Sequence, residues 1–266
     1  MTVDYSKYQH IATERRGRVL TIALSNPPMN AINQRMHDEL KTIFYDVQDD
    51  ADTDVVVLTG AGKVFCAGGN IQDGMQKRIN EVDSYHKKNT GVKRRISAML
   101  ELEKPLIGRI NGDCIGGGAS LVLFCDVIFA VDTARIGDRH VRMGFAAGDG
   151  ASMIWPQLIG YPRAMEYLLT GDLLSAKKAE EIGLINHAVP AEELDKQVYD
   201  FADRLAAGAT KAIRWTKTCI NIPRRQAAQA YMDAGLAYQA HTNSSEDHQE
   251  AVNAFREKRK PKFTGR

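Results

Sequence analysis

The chain has 266 residues, enough to bury a substantial core as one large α/β domain or one medium domain with an extension. Its 35 basic and 33 acidic side chains leave a formal net charge of +2, so no global field draws nucleic acid or membrane toward it. Cys66, Cys114, Cys125 and Cys219 stand singly, without a CxxC pair or a Cys/His zinc spacing, and read as small buried hydrophobes of a reducing compartment. No apolar run approaches the roughly 18 residues that span a bilayer, and the first thirty residues lack the layout of a secretory signal. The expectation is a soluble, cytoplasmic protein.

In chain order, "GRVLTIALSN" (17–26) alternates apolar and polar residues and runs into the Pro-broken loop "NPPMN", as a strand does. Ile32, Met36, Leu40, Ile43, Phe44 and Val47 recur at helical spacing and predict one amphipathic helix. "DVVVLTGAG" is a continuous apolar run closed by glycines, the pattern of a strand buried on both faces. A polar stretch of some thirty residues then passes from loop to helix and leads to the short apolar strand "KPLIGRING". "GGGASLVLFCD" reads as a helix opening on three glycines, and "VIFAVD" as the next strand. Strand, helix, strand in this order argues for parallel pairing with crossover helices.

Beyond Trp155 the strand signals nearly vanish, apart from "GLINHAVP" (183–190). From Ala191 onward the pattern is helical: "AEELDKQVYDFADRLAAG", "ATKAIRWTKTCIN", a longer helix starting near Pro223, and a last one opened by "NSSEDHQEAVNAF" with Ser244 and Asp247 as its capping box. This divides the chain into an α/β core with the active site over 1–190 and a helical C-terminal region over 191–266. Such a tail packs either on a partner subunit or back onto its own core.

Two glycine clusters, "TGAGKVFCAGGN" (59–70) and "NGDCIGGGAS" (111–120), follow apolar strands about fifty positions apart. Neither is a P-loop or a GxGxxG. Either cluster alone is consistent with a close-packed turn. As a pair they offer more, because glycines at a strand end and a helix start leave backbone N–H groups unobstructed, and two that converge form an oxyanion hole.

"FCAGGNI", "NGDCIGGGASLVLFCDVIFA", "IGYPRAMEYLLTGDLLSAKKAEEIGLIN" and "SSEDHQEAVNAFREKRKPKF" together resemble the crotonase superfamily, the enoyl-CoA hydratase/isomerase group, from about Val19 to Phe263. The resemblance implies an α/β fold built as a spiral of ββα units with a C-terminal helical trimerisation region, assembled as a homotrimer or a hexamer of paired trimers. It implies an acyl-CoA substrate, with coenzyme A entering as part of that substrate and no permanently bound cofactor, and hence a lyase of fatty acid metabolism. The oxyanion donors would be the amides of Gly69 and Gly117. Ala67, Gly68 and Ile71 would line the acyl site beside Gly69, with 71–90 resembling the loop over the acyl pocket.

The hydratase pattern carries two glutamates that this sequence lacks, with Ser120 in "GGGASL" and His140 in "IGDRHVRMG" at their positions. Hydration of a polarised alkene needs a base for water and an acid for the α-carbon. An imidazole titrates near pH 6.5 and can perform both transfers, which makes His140 the expected acid/base. Asp149, nine residues on, either orients His140 or caps the helix starting at "GASMIWPQL". His140 followed by Asp149 in "GDGA" resembles 6-oxocamphor hydrolase, which cleaves carbon–carbon bonds of cyclic diketones with water, although that group has lost the "GGG" signature and keeps a glutamate at the Ser120 position. Ser120 either hydrogen-bonds substrate or makes room for it. Arg139 and Arg142 are expected as surface charge with Asp138. The seven histidines show no HxH or HxxxH, so no metal is expected. There is no GxSxG elbow, and Cys66 reads as a packed thiol.

Basic residues of "REKRKPKF", Lys258 and Lys260 with Arg259 and Lys262, are candidates for the coenzyme A phosphates, or else a solvated chain end. The loop "NPPMNAIN" offers no Lys or Arg to that ligand. Three functions stay open: an enoyl-CoA hydratase-like enzyme, a carbon–carbon hydrolase of a β-diketone or β-ketoacyl-CoA using His140 and Asp149, and an inactive binding or scaffold member associating with RNA through its basic tail.

Overall fold

The computed structural model describes residues 3–70 and 82–266. A six-stranded sheet forms its centre: β1 (Ile11–Arg16), β2 (Val19–Leu24), β3 (Val55–Gly60), β4 (Leu106–Ile110), β6 (Val127–Val131) and β9 (His187–Val189), side by side in that order. β1 and β2 pair antiparallel, and every later neighbour is parallel. β3 is buried at all six positions, as its unbroken apolar run predicts. β2 is also buried on nearly both faces although its sequence alternates. The reason is β1, which the sequence reading missed: it takes the outer edge and shows five exposed or half-exposed residues to solvent.

A second sheet of three short strands, β5 (Cys114–Ile115), β7 (Arg135–Gly137) and β8 (Leu174–Ser175), lies in the order β5-β7-β8. The predicted first helix is in fact two, α1 (Gln34–Leu40) and α2 (Ile43–Asp49). Thr42 interrupts it by turning its hydroxyl back to the Glu39 carbonyl, at 3.2 Å. α3 (Val82–Glu101) follows, and α4 (Gly117–Val122) opens on the second glycine of the triple as expected. α5 (Ala151–Ile159), α6 (Tyr161–Thr170) and α7 (Ala176–Glu181) complete the α/β part.

The C-terminal region comprises α8 (Ala191–Ala206), α9 (Thr210–Thr242) and α10 (Glu246–Arg256). α9 runs unbroken through Pro223, where the sequence predicted a new helix. Asn221 Nδ2 donates to the Leu100 carbonyl at 3.2 Å, anchoring α9 to α3 beside the proline and offsetting its missing N–H. α10 is capped by Ser245, whose hydroxyl accepts from the His248 amide at 3.1 Å, one residue after the expected Ser244. This last helix folds back on its own chain: His248 stacks on Phe145 with ring centroids 3.9 Å apart, and its Nδ1 lies 2.7 Å from the Met143 carbonyl oxygen. Three cysteines are buried as expected, whereas Cys219 is exposed. Among the described residues no helix is long and apolar enough to cross a membrane.

Candidate active site

The loops that leave the C-terminal ends of the parallel strands converge, which is where open α/β sheets place ligands. Asn30 holds the first of them. Its amide donates to the Ala61 and Val64 carbonyls at 2.8 and 2.7 Å, and its oxygen accepts from the Asn26 amide at 3.1 Å. The Ile32 amide then donates to the Gly68 carbonyl at 2.7 Å and its carbonyl accepts from Asn70 at 3.1 Å. These two bonds bracket Gly69 and leave its own N–H on the opposite side of the chain. The second glycine cluster is pinned to the first, because the Ile115 amide donates to the Cys66 carbonyl at 2.9 Å. A Cβ built on Gly68 would sit 3.5 Å from the Gly117 nitrogen, so the two segments touch. Gly117 is the first residue of α4, where an amide has no acceptor within the helix.

Gly69 and Gly117 line one cavity together with Ala67, Gly68, His140 and Asp149. A side chain at Gly69 would meet nothing within 4 Å, which places that residue against open space. Two of the glycines singled out in the sequence therefore border the same cavity as the singled-out histidine.

His140 sits just past β7, its side chain 12% exposed. The Asp138 carboxylate accepts from the His140 backbone amide at 2.9 Å, and both of its oxygens lie 2.8 Å from Nδ1. A carboxylate can only accept, so Nδ1 carries the proton and neutral His140 offers its lone pair at Nε2. Asp149 Oδ2 lies 3.6 Å from Nε2, beyond direct hydrogen-bond length. Its Oδ1 accepts from the Ser120 hydroxyl at 2.9 Å. Asp138, buried, is thus the residue that orients the imidazole, while Asp149 faces the other ring nitrogen across a gap. Asp149 does not cap α5, whose N-cap is Gly150 and which has no side-chain cap, and toward His140 it stands at the Nε2 side of the ring.

Ser120, expected at the substrate, is buried behind Asp149 and is absent from the cavity wall. Ile71 lies outside the described residues. Lys258 and Lys260 lie on the exposed chain end and do not line the cavity. Arg259 in the same run is committed to Glu250, with guanidinium–carboxylate distances of 2.5 and 2.8 Å, and holds that carboxyl down at a pKa of about 2. Arg142 pairs with Asp172 at 2.7 Å, as surface charge. Arg139, expected with it, is exposed at the cavity mouth instead. Cys66 is the packed thiol expected: burial pushes its pKa up to about 11.

Asp138, His140 and Asp149 bring ligand atoms within 4.8 Å of one another, a cluster that HxH spacing rules did not reveal. The imidazole lies between the carboxylates, one nitrogen facing each. An ion would have to break the Asp138 contact, so the donor set suits proton transfer and fits a chelate poorly. Sequence reasoning also missed Arg95 and Gln239, which reach the cavity from α3 and α9. A signal for Arg95 existed: Val92, Arg95, Ile96 and Met99 have the i, i+3, i+4, i+7 spacing of one buried helix face.

The sequence model of the enoyl-CoA hydratase/isomerase family matches residues 14–266. A crotonyl-CoA hydratase of Syntrophomonas wolfei is 31% identical over 262 residues, covering 96% of this chain and 98% of the relative. A 1,2-epoxyphenylacetyl-CoA isomerase of Escherichia coli is 31% identical over 253 residues, covering 93% and 95%. The crystal structure of an enoyl-CoA hydratase/isomerase from Mycobacterium paratuberculosis superposes with a TM-score of 0.89 at 28% identity, covering 94% of this chain and 99% of that one. With a family match over nearly its whole length and an α/β fold shared with such a structure, the chain belongs to the enoyl-CoA hydratase/isomerase family.

Proposed function

We propose that this protein acts on acyl-CoA thioesters as an enoyl-CoA hydratase-like lyase, with His140 as its acid/base and the amides of Gly69 and Gly117 as its oxyanion hole. The observation that carries the reading is the Asp138–His140 contact at Nδ1, with His140 lining the cavity bordered by both glycines. A water that donates to Nε2 and to Asp149 Oδ2 attacks the β-carbon of the enoyl group. Its proton passes to Nε2 as the new C–O bond forms, and the π electrons move onto the thioester oxygen, where two N–H groups stabilise the enolate. Asp138 stabilises the imidazolium. The imidazolium then returns the proton to the α-carbon, so that one residue performs the two transfers.

The second reading is hydrolysis of a carbon–carbon bond between two carbonyls, favoured by the single histidine base in place of two acids. The same water attacks a carbonyl carbon, and the leaving enolate takes the oxyanion hole. Mass spectrometry after incubation with crotonyl-CoA, and separately with a cyclic β-diketone, tests both: a gain of one water on the thioester supports the lyase, ring opening supports the hydrolase, and no change in either removes both.

The 191–266 region serves assembly in this proposal, as a homotrimer or paired trimers of a cytoplasmic enzyme. Trp215, Ile220 and Tyr238, all on α9 and each more than half exposed, support a subunit contact there. Sedimentation of a monomer at micromolar concentration would remove it.

A further inference from the structure

Arg95 projects from α3 on the helix face that also carries Val92, Ile96 and Met99, and only 4% of it is exposed, whereas its neighbour Arg94 is open to solvent. It lines the cavity with His140, Asp149 and the two glycines. Its Nε is fully enclosed without an acceptor, and among the described residues no hydrogen bond or ion pair reaches its guanidinium. The half-buried arginines elsewhere differ. Arg214 also encloses its Nε but donates through Nη2 to Asp54 at 2.5 Å, and Arg224 donates to Asn221 at 3.2 Å.

An isolated buried charge is costly, and proteins tolerate one where a ligand completes it. The guanidinium fork matches a carboxylate in two parallel hydrogen bonds. Burial lowers the Arg95 pKa, and the charge of Asp149 is the strongest influence opposing it. That carboxylate is not in contact with Arg95; it accepts from Ser120 and faces His140. The phosphates of coenzyme A lie at the far end of the pantetheine arm from the thioester, and Arg95 lines the same cavity as the proton-transfer group. The thioester oxygen already has two amides in the proposed function. What is left for Arg95 is the acyl chain itself.

We propose that Arg95 is a specificity-determining residue that receives a carboxylate on the acyl chain, so that the preferred substrates are CoA thioesters of dicarboxylic acids. This rests on the acyl-CoA reading above. Titration calorimetry of the full-length protein with succinyl-CoA and glutaryl-CoA, each against its neutral counterpart butyryl-CoA or pentanoyl-CoA, tests it. The wild type is expected to hold at least one dicarboxyl thioester about tenfold or more tightly than its counterpart. Arg95→Met is expected to abolish that preference while keeping the neutral affinities, and Arg95→Lys to keep part of it. Because the replaced charge has no partner in the fold, Arg95→Met is also expected to melt at or above the wild-type temperature. Equal affinities for both pairs, a preference that survives Arg95→Met, or a melting temperature about 5 °C lower in that variant each overturn the inference. Binding of the neutral thioesters with no preference overturns it alone, whereas binding of none of the four overturns the acyl-CoA reading with it.

Discussion

Two buried polar clusters in this molecule are built to opposite rules. Around Asp50, at the N-terminal end of the large sheet, every charged group meets a partner: its carboxylate accepts from Arg15 at 2.5 Å, Thr53 at 2.7 Å, Tyr5 at 2.9 Å and the Asp52 amide at 3.0 Å. Buried Lys104 donates to the Asp50 and Val47 carbonyls, each at 2.5 Å. In the cavity, by contrast, Arg95 Nε is enclosed without an acceptor. A satisfied cluster leaves nothing for a ligand to do, and its contribution is stability. A cluster with an unmatched guanidinium at the C-terminal ends of the strands leaves a donor for a ligand to complete. The two should therefore separate under mutation.

The largest effect is expected at His140. His140→Ala should lower turnover of whichever test substrate reacts about 10³-fold, or about 4 kcal/mol in the barrier, with the melting temperature nearly unchanged. A loss below tenfold would remove the proton transfer from this residue. Asp50→Asn should do the reverse, costing about 3 kcal/mol of stability and lowering the melting temperature by roughly 8 °C while turnover at 25 °C stays at the wild-type value. If Asp50→Asn impaired turnover as well, the two clusters would be coupled and the contrast between them lost.

How far the sequence shows this division depends on whether a feature is local. β3 and the opening of α4 are legible because unbroken apolar runs and triple glycine have few other solutions. The two glycine clusters draw attention for the same reason, whereas Gly69 and Gly117 within them are singled out only by the family pattern. His140 stands out only through the family pattern, and its partner Asp138 was read as surface charge because two residues of spacing do not reveal a buried turn. β1 was missed because its burial is decided by pairing with β2, not by its own alternation. Arg95 was hidden by its neighbours: in "VKRRIS" three consecutive basic residues suggest a solvated face, and only helical phase, fixed by packing of α3 on α9, turns the third one inward.

Asp138→Asn refines the contrast within the cavity. The amide keeps the shape and still occupies the space at Nδ1, but it carries no charge to stabilise the imidazolium and can donate instead of accept, favouring the wrong tautomer. Turnover should fall about 10²-fold, or about 2.7 kcal/mol in the barrier, with KM little changed. A change in KM alone would reassign Asp138 to shaping the cavity.

The smallest expected effect is a pH dependence that belongs to the Asp50 cluster. Burial raises the Asp50 pKa, but the hydrogen bonds from Arg15, Thr53, the Asp52 amide and Tyr5 outweigh it and bring the carboxyl down to about 2 from an ordinary 3.8. Because the folded value is the lower one, the unfolded chain binds the proton first as pH falls, and the stability due to ionised Asp50 is complete above pH 3.8 and drains away toward pH 2. An asparagine side chain cannot titrate, so the free-energy gap between the wild type and Asp50→Asn, read from urea unfolding, should be constant from pH 7 to 5 and narrow between about pH 4 and 2. A gap that stayed constant down to pH 2 would mean that neutral hydrogen bonding, not the ionised carboxylate, holds this end of the sheet together.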